Sequence, residues 1–179
     1  TANLTKEAVE RNQELAVALS EVQVRELMGL LGWAFWEAST HEILNPKNGG
    51  LSPIRPLQAV RHPDRTESVL CTTAQSTAIR SALLAAIRAE GREIKVASFG
   101  WSADHEVVRT LAEKARAGVQ VTVVARPRVA AMPALIALQE AGAKVLGFEF
   151  LHAKALWTSS GPAVMMSANL EPHGLDSGF

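Results

Sequence analysis

The chain has 179 residues, 47 % hydrophobic and 20 % charged, which suits one domain, or one domain with part of a second, and gives no reason to expect disorder. Its 18 basic side chains balance 18 acidic ones, so the overall basic excess of a dedicated nucleic-acid binder is missing, although a local basic cleft stays open. A single cysteine, Cys71, excludes an internal disulfide, and no apolar run reaches the roughly 18 residues of a membrane span.

No signal peptide is visible, so a cytoplasmic protein is expected. The chain starts at Thr1 rather than at methionine, and a leader or an upstream domain is an open expectation. From the first residues onward, Glu14–Ser20 reads as a strand. Glu21–Ser39 reads as an amphipathic helix carrying Val24, Leu27, Leu31 and Phe35, with Trp33 and Trp36 as packing anchors. Prolines 46, 53, 56 and 63 with glycines 49 and 50 give residues 45–66 a linker composition.

After the linker, strands and helices alternate. Ser68–Thr73 reads as a strand that buries Cys71, and Ser76–Ala89 as a helix with Ser76 as N-cap and Gly91 as stop. Glu93–Phe99 is a strand, Ala103–Ala117 a helix closed by Gly118, and Val119–Ala125 an apolar strand of the kind covered on both faces. Pro133–Ala141 is helical. Lys144–Phe148, His152–Trp157 and Ala163–Ser167 are strands. This rhythm predicts an α/β fold with a mostly parallel sheet flanked by helices.

Near the end, Ser167-Ala168-Asn169-Leu170 repeats Thr1-Ala2-Asn3-Leu4, and a strand-then-helix pattern follows the first copy. The chain thus reads as running from the tail of one repeat to nearly the tail of the next. Residues 1–44 would be the tail of the first repeat, 45–66 the linker, and 67–179 a second domain cut short at its C-terminal end.

The chemistry concentrates around Leu151-His-Ala-Lys-Ala-Leu-Trp157. On a shared strand, His152 and Lys154 would face the same way. A turn at Ser159–Pro162 and a return strand would set Ser167 and Asn169 beside them. An imidazole, an ammonium and two neutral hydrogen-bonding groups suit a phosphodiester: one nucleophile or acid, one cation for the anionic oxygens, and two orienting groups.

His152, Lys154, Ser167 and Asn169 also match, residue type and spacing, the H-x-K…S-x-N positions of the HKD motif, H-x-K-x4-D-x6-G-S-x-N. The chain resembles the phospholipase D superfamily over nearly its whole length. Thr1-Ala-Asn-Leu-Thr5 resembles the end of a first motif, and Asn12-Gln-Glu14 the asparagine-x-glutamate after it, whose carboxylate supports a catalytic histidine. Two motif positions depart from the pattern: Ser159 stands where the motif has aspartate, and Met166 where it has glycine.

The resemblance implies a metal- and cofactor-independent phosphodiesterase. One histidine attacks phosphorus to give a phosphohistidine, the other protonates the leaving oxygen, and two lysines hold the non-bridging oxygens. The family uses two H-x-K motifs and this chain holds one. The second is expected upstream in the same protein or from a homodimer partner; if it is upstream, Thr1, Asn3 and Glu14 should lie near His152 across a pseudo-twofold interface, awaiting it. The expected substrate is a phosphodiester, nucleic acid being favoured over phospholipid. The alternative is a non-catalytic domain of the same fold that binds a phosphate-containing partner or serves as a structural half. Trp101 and His105 are weak rim candidates, Arg126 and Arg128 are loop charges placed to meet a phosphate, and His41, His62 and His173 show no ligand spacing.

Overall fold

The computed structural model describes residues 6, 10–45, 47, 49–53, 69–73 and 76–177. Residues 18–70 cluster as one compact unit, and residues 1–17 with 71–179 as another. Among the described residues no helix is long and apolar enough to cross a membrane.

In the smaller unit, helix α1 (Glu21–Ala38) follows the expected boundaries because a capping box starts it. The backbone N–H of Gln23 donates to Ser20 Oγ at 3.3 Å, and that of Ser20 to Gln23 Oε1 at 3.0 Å, satisfying two otherwise unpaired helix-end donors. Trp33 and Trp36 are half-buried, but Phe35 is 67 % exposed. Strands β1 (His41–Asn45) and β2 (Gly50–Pro53) then form an antiparallel hairpin, with Gly49 in the left-handed region. The segment expected as linker therefore opens on a hairpin strand, and residues 54–68 lie outside the described residues. Upstream, the strand expected over Glu14–Ser20 does not form. Gln13 makes a bridge to Leu151, and 14–20 lie in no strand.

The larger unit opens on two-residue strands, β3 (Thr72–Thr73) and β4 (Ser76–Thr77), paired antiparallel. That pairing displaces the expected N-cap: Ser76 lies in β4, and α2 spans Ala78–Ala89. Cys71 is half-buried, and burial raises its thiol pKa. Then come β5 (Glu93–Ser98), α3 (Glu106–Arg116), β6 (Gln120–Ala125), a 3-10 turn (Val129–Ala131), α4 (Met132–Glu140), β7 (Lys144–Gly147), β8 (Ala155–Thr158) and β9 (Val164–Met165). Helix α3 starts three residues later than expected, because the His105 ring acts as its cap: Nδ1 accepts from the Val107 N–H at 3.2 Å. Gly118, at φ 89°, makes the left-handed exit the sequence called for.

The α/β class holds, with a five-stranded sheet in the order β7-β6-β5-β8-β9. Its two β5–β6 and β6–β7 pairings are parallel, and β5–β8 and β8–β9 are antiparallel. The sheet is therefore mixed rather than mostly parallel. The reason is the connection: a parallel return needs a crossover of a dozen or more residues, and residues 148–154 supply too few.

Ile94 and Val96 of β5 and Val121 and Val123 of β6 pack with Leu83 and Ile87 of α2, Val107 and Leu111 of α3, and Leu138 of α4. Alternate residues turn to the other face, where Lys95 is exposed and Thr122 and Val124 are half-buried. β6 is thus not covered on both faces as its apolar run implied.

One buried carboxylate ties this unit together. Glu90, 1 % exposed at the end of α2, accepts from the backbone N–H of Arg92 (2.7 Å), Gly91 (2.9 Å) and Ser160 (2.9 Å), and from the hydroxyls of Ser159 (3.0 Å) and Ser160 (2.9 Å). The Arg92 N–H foremost, with Ser160 and Ser159, holds its carboxyl well below the usual carboxylate range despite burial. Glu90→Ala leaves these donors unsatisfied and is expected to lower the melting temperature by roughly 10 °C. The sign with pH follows from the depressed folded-state value. The stabilisation is complete above the unfolded carboxylate pKa of about 4.3 and is lost as pH falls toward the folded value. Thermal melts of wild type and Glu90→Ala should converge as the pH drops from about 5 to 2, and a gap that stays constant rejects this role.

Candidate active site

β8 enters the sheet by pairing Ala155 with Ala97 of β5. The residues just before it, 152–154, therefore stand at the carboxyl end of a parallel strand, where α/β sheets place ligands. They are not in a strand, as sequence alternation implied, but in the irregular approach to one. Two contacts hold that approach. Gln13 O accepts from the N–H of His152 and of Ala153, both at 3.0 Å, while the Gln13 N–H donates to Phe150 O at 2.8 Å.

This docking delivers the next residue, Glu14, to the imidazole. His152 Nδ1 lies 2.9 Å from Glu14 Oε1 and 3.1 Å from Oε2. The two side chains are 21 % and 13 % exposed, respectively. An ionised carboxylate only accepts, so the shared proton sits on Nδ1, and Nε2 is the nitrogen left for chemistry.

Lys154 is buried, and its Nζ donates to His152 O at 2.8 Å. A side chain-to-carbonyl tether, rather than strand pleat, keeps ammonium and imidazole together. Burial lowers the Lys154 pKa, and the charge of Glu14 opposes that shift in part.

On the return strand, the Met166 N–H donates to Lys154 O at 3.1 Å. Asn169 then reaches the end of β5, where its Oδ1 accepts from the Gly100 N–H at 3.2 Å and its Nδ2 donates to Glu171 Oε1 at 3.0 Å. Two glycines make room for it. A Cβ on Gly174 would sit 2.6 Å from Asn169 O, and one on Gly100 would sit 2.8 Å from Glu171 Oε2 and 3.0 Å from Asn169 Cβ. Ser167 is exposed, and among the described residues it makes no hydrogen bond to His152, Lys154 or Asn169. Thr1 and Asn3 lie outside the described residues.

Ser159 and Met166 are placed structurally. Ser159 holds its turn against Glu90, and Met166 is buried in the core. So are the two rim candidates. Trp101 is 3 % exposed and donates its indole N–H to Ser98 O at 2.8 Å. His105 is buried as the α3 cap with Nε2 3.4 Å from Asp176, which also pairs with Arg80 at 2.6 Å. His41 and His173 are exposed, and His62 lies outside the described residues.

Phe99, which motif spacing does not single out, is the ring around which the charged groups gather. Its centroid is 5.5 Å from that of the His152 ring, edge to face, and 5.8 Å from Lys154 Nζ. The guanidinium carbons of Arg126 and Arg128 lie 5.5 and 4.5 Å from the same centroid. Its position one residue past β5 was the available signal. Among the described residues no three His, Cys, Asp or Glu side chains converge as a metal site.

No family model matches the sequence, and no curated protein matches it. Solved structures do. Nuc from Salmonella typhimurium, a phospholipase D family member, superposes with a TM-score of 0.50 at 19 % identity, covering 55 % of this chain and 68 % of that one. NucT from Helicobacter pylori gives 0.46 at 13 % identity, over 57 % of this chain and 72 % of that one. The chain therefore has a phospholipase D-like α/β fold.

Proposed function

We propose that this chain supplies one half of a phosphodiesterase site, with His152 and Lys154 as its reacting and charge-holding groups. The observation that carries the reading is the Glu14–His152 contact of 2.9 Å beside a buried lysine, at the carboxyl end of β5. A carboxylate that fixes Nδ1 orients Nε2 and stabilises the imidazolium, which either role of histidine in such a reaction needs.

In the reaction proposed, imidazole nitrogen attacks phosphorus and the phosphorus–oxygen bond to the leaving group breaks. The second histidine gives its proton to that oxygen. Water then attacks the phosphohistidine, returning a proton and releasing the phosphomonoester. With an upstream motif supplying the nucleophile, His152 is the proton donor. Lys154 neutralises the non-bridging oxygens as charge redistributes, and Asn169 helps to shape the pocket floor.

The partner histidine comes from an upstream H-x-K motif or from a second copy of the chain, with residues 1–44 as the tail of a first repeat and 67–179 as the second. The substrate is a phosphodiester, with nucleic acid favoured over phospholipid. Ser159, standing where the motif has aspartate, is the feature that favours the non-catalytic reading. Its turn is nonetheless anchored by Glu90, so a carboxylate still holds the place where the motif aspartate is missing.

Hydrolysis of bis-p-nitrophenyl phosphate tests the proposal. Activity is expected to persist in EDTA, because Lys154 supplies the positive charge that a metal otherwise would. If the second histidine comes from another copy, specific activity should fall on dilution. Activity abolished by EDTA and restored by a divalent cation would count against the mechanism.

A further inference from the structure

The site holds more positive charge than one phosphodiester group requires. Arg126, Arg128 and Lys154 all approach the Phe99 ring within 5.8 Å of its centroid. Glu14, whose charge acts on Lys154, is itself engaged by His152. Among the described residues neither Arg126 nor Arg128 has a carboxylate within ion-pair distance. In a chain whose formal charge is zero, three cations around one ring, two of them arginines without a carboxylate partner, repel each other unless an anion joins them.

Their order matters. Lys154 is buried and tethered to the His152 carbonyl. Arg128 is exposed, on the loop that leaves the carboxyl end of β6, one strand further along the sheet. The positive charge thus runs outward from His152 along the strand ends. The segment from β7 to His152, tied to the end of β6 by the Phe148 N–H donating to Ala125 O at 2.8 Å, leaves Phe148 50 % and Phe150 40 % exposed.

We infer that Arg126 and Arg128, stacked on Phe99, form a second anion subsite that takes the phosphate adjoining the scissile one, and that the substrate is a single-stranded polynucleotide. This subsite rests on the phosphodiester reading of His152 and Lys154 and deepens it. A planar guanidinium seated on an aromatic face keeps its N–H edge free for a phosphate, and a pair of them matches a repeating anion rather than an isolated one. Exposed aromatics beside a basic track are how single strands are held without sequence preference, since every unpaired base offers a face to stack. A phospholipid with one diester group has no second phosphate for the arginines.

The test is binding of the full chain to a fluorescently labelled single-stranded oligodeoxynucleotide of about 12 residues, read by anisotropy over a salt series. Arg126→Ala with Arg128→Ala is expected to weaken binding at least ~10-fold and to reduce the slope of log Kd against log salt by about 0.7, the share of one phosphate contact. Arg126→Lys with Arg128→Lys should keep the slope, and circular dichroism should show each variant folded. Unchanged affinity and slope in the alanine variant overturns the subsite. Tighter binding to a duplex of the same sequence, or binding to phosphatidylglycerol vesicles and not to the oligonucleotide, overturns the substrate class. The phosphodiesterase reading fails separately, if His152→Ala still hydrolyses bis-p-nitrophenyl phosphate.

Discussion

His152→Asn is expected to remove phosphodiester cleavage while leaving the fold in place. Losing a covalent or proton-donating partner costs about 10² to 10⁴ in rate, or more where the group is part of a coupled set. Asparagine can still donate to Glu14 but has no nitrogen that can both bind and release a proton near neutral pH. The fold should tolerate it, because the side chain is one-fifth exposed and the local backbone is held through Gln13 rather than through the ring. Hydrolysis of bis-p-nitrophenyl phosphate, measured where the wild type turns over, reads the rate, and a thermal melt reads the fold. A variant that keeps near wild-type turnover removes His152 from the chemistry. One that melts far below the wild type makes it a structural residue.

What was legible in the sequence was local. Apolar periodicity located α1 almost to the residue because Ser20 and Gln23 carry the capping signal within three positions. It misplaced the start of α3 because the cap there is a histidine ring, a residue type with little N-cap preference. The parallel sheet was over-extended for a related reason. Alternating strands and helices predict crossovers, but the stretch between β7 and β8 was too short for one.

At the site, the H-x-K and S-x-N spacing picked out His152, Lys154 and Asn169, but not how they are held. Strand alternation was the assumed reason for His152 and Lys154 to meet, and a lysine-to-carbonyl hydrogen bond is the actual one. Glu14 read as a carboxylate that supports a catalytic histidine and lies near His152, and the structure sets it on the His152 ring itself, 138 positions away. Contacts of that separation depend on how Gln13 docks against 150–153, and no local pattern encodes that docking. Phe99 was hidden similarly, whereas Arg126 and Arg128 already read as loop charges placed to meet a phosphate. Phe99 lies just past β5 and the arginines just past β6, and only the pairing of those two strands brings the ends together.

Glu14→Gln is expected to cut turnover by about 10²-fold or more, although the side chain keeps its shape. The glutamate accepts from His152 Nδ1 and so keeps the proton off Nε2 in the neutral ring, and its charge favours the imidazolium when the ring must donate. A glutamine can turn its amide N–H₂ toward Nδ1 and select the wrong tautomer. The charge of Glu14 also acts on Lys154, and this gives a second readout that a purely structural role would not move. Burial depresses the Lys154 pKa and the Glu14 charge raises it, so removing the charge leaves burial unopposed. The ammonium must be protonated to hold phosphate. The alkaline limb of the wild-type pH profile for phosphodiester binding should therefore lie below the ordinary lysine value of about 10.4, and in Glu14→Gln it should move lower still. Glu14→Asp, which retains the charge at a shorter reach, should keep the limb nearer the wild-type position while losing rate. If Glu14→Gln lowers the rate but leaves the limb where it was, Lys154 does not feel Glu14 in the working enzyme. If neither rate nor limb changes, the contact with His152 has no catalytic consequence.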